Sequence, residues 1–414
     1  MAESLRREIG LFGAVAYGVG TILGAGVYAL IGVASGYAGN AVWLSFAIAA
    51  GIALFSGLSY AKLASIFPSS GAEYVYVEQA FGSRFWAFII GWLVLISSII
   101  SGAAVALGFG GYLYGLSGIP VAVGASMLLV AMAAINYLGI KESLAVNVLL
   151  TLIELLGVLI VIVLGAGYLG AVDYGEMPNG LTGVIGAVGL IFFAFIGFES
   201  LAKIGDEAKD PTRTIPRALI LSLLITAALY VLVALSVVSI VPYQDLAASA
   251  SPLSEVALAA SGQGVSLLLS VIALLATANT VLIILIASSR IAYGMSVRSA
   301  LPSFLSQVHP DRGTPLAAIV LTAVASILFA FLGGIELTAN VANFTIFMVF
   351  LAVNLSVIQF SRKGLRMGRR YVLSAAIGSL SSLAMLTQFQ WEVVLLSLVI
   401  AAMGAGIFYL VDSH

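Results

Sequence analysis

Two carboxylates, Glu154 and Glu199, stand inside long apolar runs, and a third anomaly lies near the start of the chain. There the run Tyr17-Gly18-Val19-Gly20-Thr21-Ile22-Leu23-Gly24-Ala25-Gly26-Val27-Tyr28 places four glycines within nine residues. An ionisable side chain at bilayer depth costs about 2.5 to 3.5 kcal/mol on insertion scales, which makes each acid a functional candidate. Each glycine inside a helix costs about 1 kcal/mol relative to alanine, so residues 18–26 are the weakest point of their segment. Backbone released there is tolerated in lipid only where protein buries it or a cavity wets it. The spacing of Gly20 and Gly24 also fits close helix packing. Residues 192–199, Phe-Phe-Ala-Phe-Ile-Gly-Phe-Glu, form a second interruption, where a glycine and a carboxylate enter an otherwise apolar stretch.

Apolar helices must position these groups. The chain is 62% hydrophobic and only 8% charged, against about 25% charged in a soluble protein. A helix needs roughly 20 apolar residues to cross the hydrocarbon core. Twelve segments meet or approach that length: 9–33, 41–67, 85–112, 121–137, 146–164, 184–203, 218–241, 264–288, 315–331, 337–360, 371–386 and 393–410. With these as spans, all 17 Lys and Arg residues fall on one side, from Arg6 and Arg7 to Arg369 and Arg370. The loops on the other side carry acids alone, among them Asp173, Glu176, Asp245, Glu255, Glu336 and Glu392. Lys and Arg collect in cytoplasmic loops, so the expectation is a multi-pass cell-membrane protein with both termini in the cytoplasm. No small-residue cleavage site follows the N-terminal segment, so the first helix is expected to be retained. The segment 242–262, on the acidic side, reads either as a short capping helix or as a plain connector.

The two interruptions fall in spans one and six, one at the start of each half. That placement is the pointer to an inverted-repeat transporter. Spans one to five and six to ten form two five-helix units, residues 9–165 and 183–360, and residues 371–410 add two further helices. Because five is odd, the second unit enters the membrane in the opposite sense, and the two breaks approach one another near the midplane.

Several motifs then resemble the amino acid, polyamine and organocation transporter superfamily. They are Gly24-Ala25-Gly26-Val27-Tyr28, Gly197-Phe198-Glu199, the run Asp206-Glu207-Ala208-Lys209-Asp210-Pro211-Thr212-Arg213-Thr214-Ile215-Pro216, and Phe67-Pro68-Ser69-Ser70-Gly71-Ala72-Glu73-Tyr74. The stretch from Asn136 to Lys141, Ser289-Arg290 and Leu301-Pro302 agree as well, in the right order over nearly the whole chain. The resemblance implies a LeuT-like core, a 5+5 inverted repeat with helices one and six broken, followed by two C-terminal helices. It implies secondary transport of amino acids by alternating access, with spans one, two, six and seven rocking against the rest.

Where the first helix restarts near Gly24, backbone N–H groups and the positive end of a half-helix dipole suit a carboxylate. Carbonyls released in the sixth span suit an ammonium. By resemblance the carboxylate contacts fall on Ile22, Gly24, Ala25 and Gly26, and the amine contacts on Phe193, Ala194 and Ile196. Phe195 or Phe198 could close over the substrate, or either could be ordinary helix packing. Small and apolar residues around the breaks favour a neutral amino acid, whereas a Glu199 without a partner would accept a cationic one.

Glu199 stands four residues before Lys203, a favourable ion-pair spacing; by resemblance it instead lies beside the break, where it can accept from backbone N–H groups. Glu154 has no such neighbour, since Lys141 is roughly 20 Å away along a helix. Many relatives carry a lysine at the matching position, which donates to carbonyls of the broken first helix, here Gly20 and Leu23. An ionised carboxylate and a carbonyl are both acceptors, so glutamate reverses that logic. Either Glu154 is protonated and donates, or a sodium ion sits between the carboxylate, the carbonyls and hydroxyls of span eight, with Thr277 and Thr280 as candidates. A third reading is structural, with Glu154 bonded to a side chain such as Asn279. Proton-coupled symport is the expectation; sodium-coupled symport and exchange are the alternatives, and a passive channel or a membrane sensor the rivals from another class.

Other classes fare poorly. There is no cysteine, and the net charge of −1 with no basic domain argues against nucleic acid as a partner. The two histidines, His309 and His414, are expected near cytoplasmic water, and no nucleophile, base or metal cluster is evident at membrane depth, so no enzyme, metal or cofactor is expected. The partners expected are a small amino acid and the bilayer; oligomeric state is not readable. Asn136 and Asn147 are expected to hydrogen-bond at helix ends. The Arg366-Met367-Gly368-Arg369-Arg370 cluster reads as the topology signal rather than as a lipid site, and the charges of loops six and eight as an internal gate or as solvated surface.

Overall fold

A computed structural model describes residues 9–67, 72–138, 143–203, 208–310 and 312–412, without the side chains of 143–148, Lys203, Pro211, Val411 and Asp412. The expectations for Arg6, Arg7, Lys141, Asp206, Glu207 and His414, for the Asn147 side chain and for a Glu199–Lys203 pair therefore lie outside the described residues. The described chain is helical throughout, with one isolated bridge pairing Ile9 with Ala208.

The first apolar run is two helices, α1 (Leu11–Ile22) and α2 (Gly26–Ala38), separated by Leu23, Gly24 and Ala25. Then follow α3 (Val42–Ile66), α4 (Ala72–Phe81), α5 (Arg84–Ser117), α6 (Val121–Leu138) and α7 (Ser143–Ala166). The sixth run is α8 (Gly180–Ile191), a tighter 3-10 turn over Phe192–Phe195, and the short α9 (Ser200–Lys203). The rest is α10 (Pro211–Ile240), α11 (Tyr243–Ala248), α12 (Pro252–Ser261), α13 (Gln263–Val297), α14 (Leu316–Leu332), α15 (Ile335–Arg362), α16 (Arg369–Leu386) and α17 (Trp391–Asp412).

Among the described residues nine segments are long and apolar enough to cross a membrane, and α1 and α14 are shorter apolar helices. Every apolar run of the sequence falls on helix. The differences lie between the runs: α4 forms where only a loop motif is legible, and the segment between α10 and α13 holds two short helices where a single short helix or a plain connector is expected. Proline opens α12 at its first turn, where a missing N–H costs nothing.

The helix α5 is the most enclosed of the long helices, packed against α13 and α15, whereas α6, α7 and α17 present most of their surface to the surroundings. The helix α3 packs against both α10 and α16, and α10 lies along α1. At the acidic end α2 is covered. Its Gly32 touches the Leu246 carbonyl of α11, Asn40 donates to Glu176 at 2.8 Å, Asn179 donates to the Tyr37 carbonyl at 3.0 Å, and the Tyr37 hydroxyl donates to Glu336. Helix α2 is therefore covered at this end by α11, by the segment between α7 and α8, and by α15.

Candidate functional site: two interrupted helices in contact

The interruption after α1 begins because Leu23 leaves helical geometry while its N–H still bonds the Val19 carbonyl at 2.7 Å. Helix α2 restarts at Gly26, and the first four N–H groups of a helix have no acceptor within it. One nearby donor is engaged: the Ala25 N–H reaches the Thr280 hydroxyl of α13 at 3.3 Å. Gly20 and Gly24 both face neighbouring helices, Gly20 toward Thr151 of α7 and Gly24 toward Thr280. Packing and interruption, alternatives in the sequence, are met by the same glycine run.

In the second interruption, the 3-10 turn ends at Ile196, whose backbone is extended, and Gly197 follows at φ +125°. Only glycine adopts that φ at little cost, and a Cβ there would collide with the Thr21 carbonyl of α1. Two side chains satisfy the groups released, one distant in sequence and one two residues away. Asn343 of α15 donates to the carbonyls of Gly189 and Leu190 at 2.7 and 2.9 Å, carbonyls that a regular helix would pair with Phe193 and Ala194. Glu199, nearly buried, accepts the Gly197 N–H at 2.8 Å.

The two interruptions touch. A Cβ built on Gly26 would lie 2.6 Å from the Cα of Ala194. The hydroxyl of Tyr230, fully buried on α10, lies 2.7 Å from the Ile22 carbonyl and 3.1 Å from the Ala194 carbonyl. One O–H thus serves an acceptor at the end of each broken segment. Phe195 and Phe46 pack on the Tyr230 ring with centroids 5.4 and 5.6 Å away, holding it in place.

Ile22, Ala25, Gly26, Phe193 and Ala194 are buried, and Gly24 and Ile196 are partly exposed. The carbonyls at the second interruption are less free than the sequence suggests: that of Phe193 accepts the Ile196 N–H at 3.2 Å, and that of Ala194 is taken by Tyr230. Phe195 is packed on Tyr230, whereas Phe198 sits in a separate aromatic cluster with Tyr60 and Phe350, at 5.8 and 5.1 Å. Glu199, being engaged by the Gly197 N–H, is not the vacant acid that a cationic substrate would need.

Glu154 lies on α7, which faces the first interruption. Its neighbours on the same helix face are Thr151, which meets Gly20, and Gly157, which meets the Tyr28 hydroxyl of α2. That hydroxyl donates to the Glu154 main-chain carbonyl at 2.6 Å, and Tyr112 of α5 donates to the Tyr28 carbonyl at 3.0 Å. The Glu154 side chain is 1% exposed, and its Oε1 has no hydrogen-bond partner among the described residues. Thr277 and Thr280 donate to carbonyls of their own helix, Ala273 and Ala276, at 2.7 and 3.0 Å. No group of three or more His, Cys, Asp or Glu side chains able to hold a metal occurs among the described residues.

Asn136 is buried and bonds across to Ser289 of α13 at 3.2 Å, so it joins two helices instead of finishing one. His309 stacks edge-on to Tyr137, and its buried Nδ1 has no partner among the described residues, a less watery setting than the sequence suggests. Tyr230 and Asn343 escaped the sequence reading altogether.

Two broken helices braced against each other at bilayer depth are the architecture of a substrate carrier, and comparison with known families agrees. The amino acid permease family profile matches residues 9–410. The chain belongs to that family. It is 32% identical to a branched-chain amino acid permease of Bacillus subtilis, over 87% of this chain and 82% of the other. It is 31% identical to the vacuolar cationic amino acid transporter 4 of Arabidopsis thaliana, over 86% and 63%, and 28% identical to a methylthioribose transporter of B. subtilis, over 87% and 83%. This permease is accordingly a multi-pass membrane transporter and not an enzyme.

Proposed function

We propose that this permease carries neutral α-amino acids across the cell membrane by alternating access, as a proton-coupled symporter. The observation that carries the reading is the contact of the two interruptions at Gly26 and Ala194, spanned by the Tyr230 hydroxyl. An α2 N-terminus and released carbonyls within one small volume offer complementary ends to a zwitterion. In this reading Ile22, Gly24, Ala25 and Gly26 meet the substrate carboxylate. Phe193, Ala194 and Ile196 supply carbonyls to its amine, so that substrate and the Tyr230 hydroxyl compete for the Ala194 oxygen. Phe195, resting on Tyr230, is the better placed of the two phenylalanines to follow such a change.

The arrangement is that of twelve spans with both termini in the cytoplasm. The pairs α1/α2 and α8/α9 are the interrupted first and sixth spans, residues 9–165 and 183–360 the inverted repeats, and α16 with α17 the added pair. A neutral substrate fits because Glu199 is already engaged, and because the walls contributed by Ile22, Phe193 and Ile196 are apolar. The branched-chain specificity in the name of the B. subtilis relative points the same way.

Proton coupling is assigned to Glu154. Its Oε1 is buried with no hydrogen-bond partner among the described residues, and a carboxyl that gains a proton gains a donor to give. Sodium is the second reading, with Gly20, Leu23, Thr277 and Thr280 as ligands, but the Thr280 oxygen already accepts the Ala25 N–H. The test of transport itself is counterflow in proteoliposomes. Labelled leucine should enter faster when unlabelled leucine is trapped inside. Entry without such stimulation would indicate a channel, and binding without entry a sensor.

A further inference from the structure

A cavity of about 400 Å³ opens at the basic end of the molecule, away from the interruptions, lined by Leu58, Arg213, Arg217, Ile220, Arg370 and Tyr371 together with Thr212 and Pro216. Its floor is α3, and its two walls are the N-terminal turns of α10 and α16, each of which packs on α3. We propose that this cavity is a binding site for the phosphodiester headgroup of an anionic membrane phospholipid.

Charge is the first argument. Arg213, Arg217 and Arg370 converge on the cavity, and no carboxylate is among its lining residues. A fourth cation stands at the rim, since the Lys62 ammonium and the Arg370 guanidinium approach the same Tyr371 ring, at 5.7 and 4.7 Å from its centroid. Among the described residues Asp210 reaches Arg213 only at 3.9 Å, through side chains that are 78% and 50% exposed, a pair too solvated to neutralise the site. Guanidinium groups bind phosphate oxygens through paired N–H donors. The start of α10 and the start of α16 add the positive ends of two long helices.

The second argument decides between a lipid and a soluble anion. Beside the arginines the lining is apolar, with Leu58, Pro216 and Ile220. From Arg217 the outward face of α10 continues through Leu221, Leu224 and Ile225, each exposed by 40% or more, and on α16, the other wall of the cavity, Leu373 and Leu380 are exposed. A headgroup held by the arginines would therefore have its acyl chains along a lipid-facing apolar stripe, an arrangement with no use for free phosphate. Basic pockets between membrane helices on the cytoplasmic side bind such headgroups. Simple enrichment of Lys and Arg on that side does not require three of them to share one cavity.

Native mass spectrometry of the detergent-purified full chain, with phosphatidylglycerol and phosphatidylcholine added at equal concentration, tests this. The wild type should retain phosphatidylglycerol over phosphatidylcholine by about tenfold or more, as expected for several arginines each contributing near a lipid surface. The double variant R217Q/R370Q should lose that preference by about tenfold, while R362Q/R366Q, which removes the same charge from the same face outside the cavity, should change it by less than about twofold. Equal losses in the two variants, or no headgroup preference in the wild type, would overturn the site. Displacement of the lipid by inorganic phosphate at about 10 mM, near the range of weak anion contacts, would overturn the lipid as occupant in favour of a soluble anion.

Discussion

Gly26 and Ala194 are in backbone contact: a methyl group at Gly26 would come 2.6 Å from the Ala194 Cα. The start of α2 and the turn after α8 thus meet where only a hydrogen atom fits. Because the near atoms belong to backbone, the clash cannot be relieved by rotating a side chain, and overpacking of this kind costs about 1 to 3 kcal/mol. Gly26→Ala is expected to abolish counterflow by separating the two interruptions. Gly24→Ala, whose added methyl meets only the Thr280 side chain at 3.4 Å, should keep wild-type thermal stability and part of its transport. Equal activity in Gly26→Ala and wild type would refute the contact.

Tyr230 connects the carbonyls of Ile22 and Ala194 through one hydroxyl. Tyr230→Phe keeps the ring between Phe46 and Phe195 and removes only the donor. Leaving buried acceptors without it costs about 1 to 3 kcal/mol. Because the substrate amine then meets an Ala194 oxygen with no competing hydroxyl, the expected outcome is a fall in KM of about tenfold, the equivalent of 1.4 kcal/mol, with expression preserved. An unchanged KM would show that the hydroxyl is structural and that the Ala194 carbonyl is not part of the substrate site.

Gly197 is strained for any other residue on two independent grounds, its φ of +125° and its approach to the Thr21 carbonyl. Gly197→Ala should therefore lower the melting temperature as well as uptake, and by more than Tyr230→Phe does. A fluorescence-detected melting curve separates the two, and an unshifted curve for Gly197→Ala would contradict the geometry.

Glu154→Gln retains an N–H donor at the site but cannot gain or lose a proton. Binding and counterflow should survive, whereas accumulation driven by an inward proton gradient should vanish. Accumulation in that variant equal to wild type would remove Glu154 from the coupling mechanism.

The interruptions were legible in the sequence because glycine clusters are costly in a membrane helix and so mark themselves, and Glu154 because no basic side chain comes within a helical turn of it. Tyr230 was not legible. A tyrosine in an apolar helix is an ordinary packing residue, and its two acceptors are main-chain carbonyls 208 and 36 residues away. Asn343 was hidden for the same reason, since the carbonyls it satisfies lie 154 and 153 residues back in the chain. Glu199 carried a local signal that allowed two readings, and its bond to the Gly197 N–H follows from the break, not from the spacing to Lys203. The helices α4, α11 and α12 are short and only moderately apolar, so hydrophobic run length, which located the long helices well, had little to report there.

The central claim, that the paired interruptions form a proton-coupled carrier, is tested most directly by uptake of a labelled amino acid mixture into proteoliposomes under an inward proton gradient and, separately, an inward sodium gradient. Accumulation of neutral amino acids above equilibrium with protons alone is the predicted result. Accumulation that requires sodium, or none under either gradient, would contradict it.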